Sequence, residues 1–246
     1  MKFMALVGTA GPMPADAVEE MNRGWPAYEQ VLATRSGLRL GRELRLPDEG
    51  VATVRARGRE PLITDGPFAE TKEYVAGLDV FDASGWEDAI ELESLSPVAR
   101  FLPFEIRMLP ESFRLGPAVT AFAERDDAAG TPFMLMVWAG GEAGAWREDP
   151  QADSDSELWR TRLEASGAFV LGGKLSDPGD ARTLRLSAAE APLSAGPFIQ
   201  GPEYIVGIEV IRAASLPAAA SLAATHPLAP LHPIEARPFH VEGSSN

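Results

Sequence analysis

Apolar residues run consecutively in FMALV (3–7), FMLMV (133–137) and YIVGIEVI (204–211) rather than alternating with polar ones. Short unbroken runs of this kind predict strands of sheets covered on both faces. After the first run, Val18, Met21, Trp25, Tyr28 and Leu32 recur three and four apart, which is the period of an amphipathic helix. Pro26 lies inside that pattern and predicts a kink, or two short helices meeting at Gly24–Trp25. After the second run, Ser154-x-x-Glu157 reads as a capping box opening a helix through Leu158, Trp159 and Leu163. Further strands are predicted at 38–46, 51–57, 168–175 and 182–187, and at EYVAGLDVFDA (73–83) and EYIVGIEVIRA (203–213). A second helix is expected at 85–95 and at 216–225, followed by a last strand at 104–109 and at 234–239.

The elements come twice because the sequence does. Residues 65–109 and 195–239 align without a gap, 130 positions apart. The identities include Gly66/Gly196, Pro67/Pro197, Phe68/Phe198, Glu73/Glu203, Tyr74/Tyr204, Glu105/Glu235 and Arg107/Arg237. Two copies of one domain follow, 1–115 and 131–246, the second divergent. A linker at 116–130 has a helical turn in AVTAFAERDD. Each copy reads β-α-β-β(-β)-α-β, a ferredoxin-like α+β unit. One such unit leaves a sheet face bare, so the fold class is α+β, two ferredoxin-like units packed as a dimeric α+β barrel-type pseudo-dimer.

Composition removes several function classes. With 36 acidic against 22 basic residues the chain carries a formal charge of −14 and repels both phosphate backbones and anionic lipid. Nucleic-acid and membrane partners are therefore not expected, and no apolar stretch reaches spanning length. The absence of cysteine excludes disulfides, thiol nucleophiles and thiolate metal sites, and fits a reducing, cytoplasmic compartment. The short run after Lys2, broken by Gly8, is read as a strand rather than a signal peptide. Neither GTAGP (8–12) nor WAGGEAG (138–144) has the spacing of a phosphate-binding loop. No cofactor is expected, and the prolines between His226, His232 and His240 argue against a metal site.

The phrase DGPFAETKE (65–73), its apolar strand, the acidic helix, Pro97 and the closing FEIRML resemble the YCII-related superfamily in its DGPF branch. The second copy has AGPF at 195–198 and HPLAPLHPIEARPF toward its end. The resemblance implies a dimeric α+β barrel with a pocket per unit, small-molecule chemistry, and for some members a link to sigma factors. Members of the YCII type are credited with a His–Asp pair whose histidine lies on the first helix. Here no histidine precedes residue 226.

Candidate chemistry gathers where the copies differ. Asp65 and Lys72 are replaced by Ala195 and Pro202. A residue kept once is free to serve a site, so Asp65 is the candidate base and Lys72 an anion contact, with His226 as a second candidate acid–base. Asp-Gly is also turn chemistry, and that reading of Asp65 stands beside the catalytic one. Glu73, Tyr74, Trp25 and Tyr28 are candidate ligand-binding residues; for Glu73–Tyr74 the competing expectation is strand-end pairing with Arg107 and Arg237. The functional expectation is a cofactor-free small-molecule enzyme of proton-transfer lyase or isomerase type, its site in the first half. The alternative is a non-catalytic ligand-binding or regulatory partner associated with sigma-factor-dependent transcription. The partners expected are a small-molecule ligand and the intramolecular pairing of the two halves, with a further homodimer open.

Overall fold

The computed structural model describes residues 1–241 apart from 36, 57–59, 70–72, 148, 187–192 and 200. The first copy runs β1 (Lys2–Thr9), α1 (Ala15–Ala33), β2 (Arg39–Glu43), β3 (Ala52–Arg55), β4 (Leu62–Asp65), β5 (Tyr74–Asp82), α2 (Trp86–Ser94) and β6 (Phe104–Met108). Then come β7 (Arg114–Leu115) and α3 (Val119–Ala123), followed by β8 (Thr131–Gly140), α4 (Pro150–Ala165) and β9 (Phe169–Lys174). The chain continues through β10 (Arg182–Leu184), β11 (Leu193–Ala195), β12 (Glu203–Ala213), α5 (Leu216–Ala224) and β13 (Ile234–Pro238). The described residues thus form an α+β architecture of two antiparallel sheets and five α-helices.

Two compact units are present, and they cut across the two sequence copies. Unit 1 comprises Met1–Arg42, Thr71–Pro110 and Ser176–Gln200; unit 2 comprises Glu43–Glu70, Glu111–Leu175 and Gly201–Asn246. The sheet of unit 1 is ordered β11-β10-β6-β1-β5-β2, and that of unit 2 β4-β3-β13-β8-β12-β9-β7. Hairpin β3–β4, written in the first copy, therefore completes the sheet of unit 2 by pairing β3 with β13. Hairpin β10–β11, written in the second, completes unit 1 by pairing β10 with β6. The registers correspond, with Thr53 opposite Glu235 and Thr183 opposite Glu105.

The core of unit 1 gathers Phe3, Tyr28, Phe81, Leu92, Phe104 and Ile106, and that of unit 2 Phe133, Leu135, Trp159, Phe169, Ile211 and Ile234. Every residue of Pro132–Gly140 is buried, as its unbroken apolar run requires.

The exchanged hairpins account for the repeated GPF phrase. Gly66 and Gly196 sit at φ +105° and +87°, where a side chain is strained. Their carbonyls accept from the Thr53 hydroxyl at 2.8 Å and the Thr183 hydroxyl at 2.7 Å. The amide of Phe68 donates to Glu235 Oε2 at 3.0 Å, and that of Phe198 to Glu105 Oε2 at 3.1 Å. Glu105 in turn holds Arg107, whose Nε donates to Glu105 Oε1 at 2.7 Å. Gly, Pro, Phe, Glu and Arg recur in both copies because each turn is clasped this way. Asp65 ends strand β4, exposed and opposite Ala52, where Ala195 serves equally well in the other copy.

Three local expectations change. Helix α1 is continuous through Pro26 rather than broken at Gly24–Trp25. Gly24 lies against Pro97, where a Cβ would come within 3.0 Å, so packing on that turn supports a helix whose ladder lacks one donor. Helix α4 opens at Pro150, not at Ser154: Asp149 accepts from the amides of Gln151 and Ala152, and a proline at the first helical position needs no donor. Glu73 does not pair with Arg107. It takes a bidentate contact from Arg185 at 2.9 and 3.0 Å within unit 1, because Arg107 is already committed to Glu105.

Candidate functional site

Strands β5 and β12 each carry one acid inside an apolar run: Asp79 in AGLDVF and Glu209 in VGIEVI. In both units the carboxylate lies across a glycine of the neighbouring strand, Gly41 of β2 or Gly172 of β9, where a Cβ would overlap it. Burying such an acid is costly without partners, and each unit supplies a different set.

In unit 1 the partners are Arg39 from β2, Tyr28 from α1 and Glu93 from α2. Arg39 Nη1 donates to Glu93 Oε1 at 3.1 Å, and Nη2 donates to the Tyr28 hydroxyl and lies 3.9 Å from Asp79 Oδ2. Burial, reinforced by the charge of Asp79 and opposed by Arg39, pushes the Glu93 carboxyl up to about 8. Burial first and Glu93 second also raise the Tyr28 phenol. Glu93 therefore holds a proton near neutrality.

In unit 2 the counter-charge comes from a helix instead. Arg160 of α4 donates from Nε to Glu209 Oε1 at 2.9 Å and from Nη2 to the same oxygen at 2.6 Å. Burial opposes the charge on Glu209, but His226 and Arg160 outweigh it and hold the carboxyl below its ordinary value. His226 follows α5 and is 1% exposed, with its Nδ1 accepting the Leu228 amide at 3.1 Å. That bond assigns the ring proton to Nε2, which faces Glu209 Oε1 at 3.5 Å, too long for a full hydrogen bond. Trp159 meets the imidazole edge-on at 4.6 Å and anchors its own Nε1 on the Thr225 hydroxyl at 2.9 Å.

A cavity of about 450 Å³ opens in unit 2, its lining including Arg160, Glu209, Val137, Val206, Leu228 and Trp146. A β-bulge between Ile205 and Gly207 takes Val206 out of the ladder, the kind of irregularity that re-aims a side chain at a site. The volume falls in the range of small-molecule sites.

The sequence candidates are dispersed. Trp25 and Tyr28 pack ring to ring at 5.7 Å in unit 1, with Tyr28 drawn into the Arg39 cluster. Tyr74 opens strand β5 of the same unit, and Glu73 directly precedes it. Asp65 belongs to unit 2 and is exposed at the end of strand β4. His226 sits in unit 2 behind Glu209, and Lys72 lies outside the described residues. Arg39, Asp79, Glu93, Arg160 and Glu209 were not among the candidates. The available signal was a single acid at the same place in two apolar strands.

No protein-family model matches the chain. A 54-residue segment is 39% identical to an uncharacterised protein of Rhizobium meliloti (strain 1021), covering 22% of this chain and 44% of that relative's length. A solved structure described as a novel heme-binding protein from Thermus thermophilus aligns over 97% of this chain and 90% of its own, at 9% identity and a TM-score of 0.37. That likeness is too distant to carry an argument about fold or ligand. Among the described residues no group of three or more His, Asp or Glu is placed to hold a metal ion, and no helix is long and apolar enough to cross a membrane.

Proposed function

We propose that the protein binds a small molecule in the cavity of unit 2, as a YCII-related protein of the DGPF kind whose two units pair as a ferredoxin-like pseudo-dimer. The observation that carries this reading is the buried Arg160–Glu209 pair on the wall of a 450 Å³ cavity. Perturbed ionisable groups cluster at functional sites, which makes a perturbed pair facing a cleft a candidate for one. Of the two expected roles, ligand binding has more support than proton-transfer catalysis. Glu209 is the buried carboxylate of the cavity wall, and its lowered pKa makes it a weak base at neutral pH. The enzyme reading draws on a different feature, the buried imidazole of His226, whose Nε2 lies 3.5 Å from Glu209 Oε1.

A thermal-shift screen of small metabolites on wild type, Leu228→Trp and Asp65→Ala tests the placement, since a ligand of the folded state raises the melting point. Filling the apolar end of the cavity with Leu228→Trp is expected to abolish the shifts, while Asp65→Ala keeps them. Shifts lost in Asp65→Ala and kept in Leu228→Trp move the site to the DGPF loop. A screen without shifts sinks the binding reading.

A further inference from the structure

Resting on that reading, the pocket also carries information about its ligand. Arg160 and Glu209 neutralise each other at the buried end of the cavity, beside Val137, Val206 and Leu228. The other charges of the lining lie nearer the solvent. Glu111 and Asp153 are exposed, Lys174 is half-buried, and Arg114 is held by Glu157 and Glu164. Arg160 Nη1 also reaches Glu157 Oε2, at 3.4 Å.

A charged group brought to the buried end would find its countercharge already taken. A carboxylate would lie beside Glu209 and an ammonium beside Arg160, each losing water without a free partner. A neutral group faces no such penalty. Arg160 spends one N–H on each of its three nitrogens in these contacts, and a guanidinium has five, so donors remain. Glu209 Oε2 receives only the longer 3.2 Å contact from Arg160 Nε, so acceptor capacity remains. The wall thus offers a donor and an acceptor side by side.

We infer that the cavity selects a neutral ligand bearing an adjacent acceptor and donor, the pattern of a carboxamide, lactam or urea, with its carbonyl on Arg160 and its N–H on Glu209. The apolar remainder of the ligand lies against Val137, Val206 and Leu228. Trp146, with Lys174 Nζ 5.1 Å from its ring centroid, also lines the cavity.

The test compares benzamide, benzoate and benzylamine on the wild-type protein, three probes of nearly one shape that differ in charge. Melting shifts and tryptophan fluorescence are both recorded at millimolar concentration. Benzamide is expected to bind roughly ten-fold or more tightly than either ion, as the penalty on an unpaired buried charge requires. Glu209→Gln, which offers an amide in place of the carboxylate, is expected to reduce that preference. Should the variant fail to fold, the wild-type ranking alone decides. Benzoate or benzylamine binding best would overturn the donor–acceptor inference while leaving the pocket in place. Binding of none of the three, by either readout, would remove the pocket itself.

Discussion

The acids Asp79, half-buried, and Glu209, fully buried, hold the same place in two units and meet different partners. In unit 1 a second carboxyl, Glu93, shares the site and keeps its proton, while Arg39 reaches in from the adjacent strand. In unit 2 Arg160 comes from the helix, the acid stays ionised, and an imidazole takes the place of the second carboxyl. Both units keep the seat, an acid across a strand glycine, because that is backbone geometry. What sits around the acid drifts, since several sets of partners satisfy one buried charge. The cavity bordered by Arg160 and Glu209 makes unit 2 the better place to look for a ligand.

The largest test of this contrast is Arg160→Leu. Leaving Glu209 buried and unpaired is expected to cost roughly 3–5 kcal/mol, measured by denaturant unfolding, while adding Glu209→Leu restores much of the loss. Arg39→Leu is expected to cost less, because the proton on Glu93 already offsets one charge and Asp79 keeps partial access to water. Equal costs at the two arginines would erase the distinction.

The pH dependence comes next. Glu93 titrates near 8 in the folded chain against an ordinary value of 4.5, so between those limits the native state holds a proton that the unfolded state has released. Its contribution is fully present below about pH 4.5 and is lost as pH rises through about 8, on the order of a few kcal/mol. Unfolding curves across that window should slope downward in wild type and flatten in Glu93→Gln. An unchanged slope in the variant would remove the shared-proton account of unit 1.

A smaller effect probes the seat of the exchanged hairpin. At Gly8 an added Cβ would stand 2.5 Å from the Phe198 ring and 2.9 Å from Pro103, whereas unit 2 has Trp138 in the matching position with Phe68 at 5.8 Å. Gly8→Ala should cost about 1–3 kcal/mol, and Phe198→Leu in the same chain should recover part of it. Thr53→Val and Thr183→Val, each removing one hydroxyl from a turn carbonyl, are expected to cost about 1 kcal/mol apiece. Unequal costs there would show that the two clasps are not equivalent. Smallest of all is Asp65→Ala, which copies Ala195 and should change stability by less than about 0.5 kcal/mol.

Much of the fold was legible from local pattern. The repeat, the paired helices and the central strands follow from spacing that each segment carries in itself. The missed helix start at Pro150 was equally local, since Asp149-Pro150 is a stronger opening than Ser154-x-x-Glu157. The candidate site was less legible. Arg160 meets Glu209 across 49 positions of chain, and Arg39 meets Glu93 across 54, separations over which no spacing rule operates. Comparison of the copies pointed to Asp65, which is unmatched but exposed. It passed over Asp79 and Glu209, which match in charge and are buried or nearly so.

By itself the sequence determined that one pattern recurs 130 positions on, where the main helices and strands lie, and which residues must turn, because those properties depend on neighbours along the chain. Tertiary structure alone decided which hairpin completes which sheet. Strands β6 and β13 both present Glu-x-Arg, and β3 and β10 both present a threonine, so either pairing satisfies the local rules. The pairing adopted is the exchanged one, β3 on β13 and β10 on β6. Tertiary structure also decided how each buried acid is neutralised, since that depends on side chains brought together from separate helices and strands.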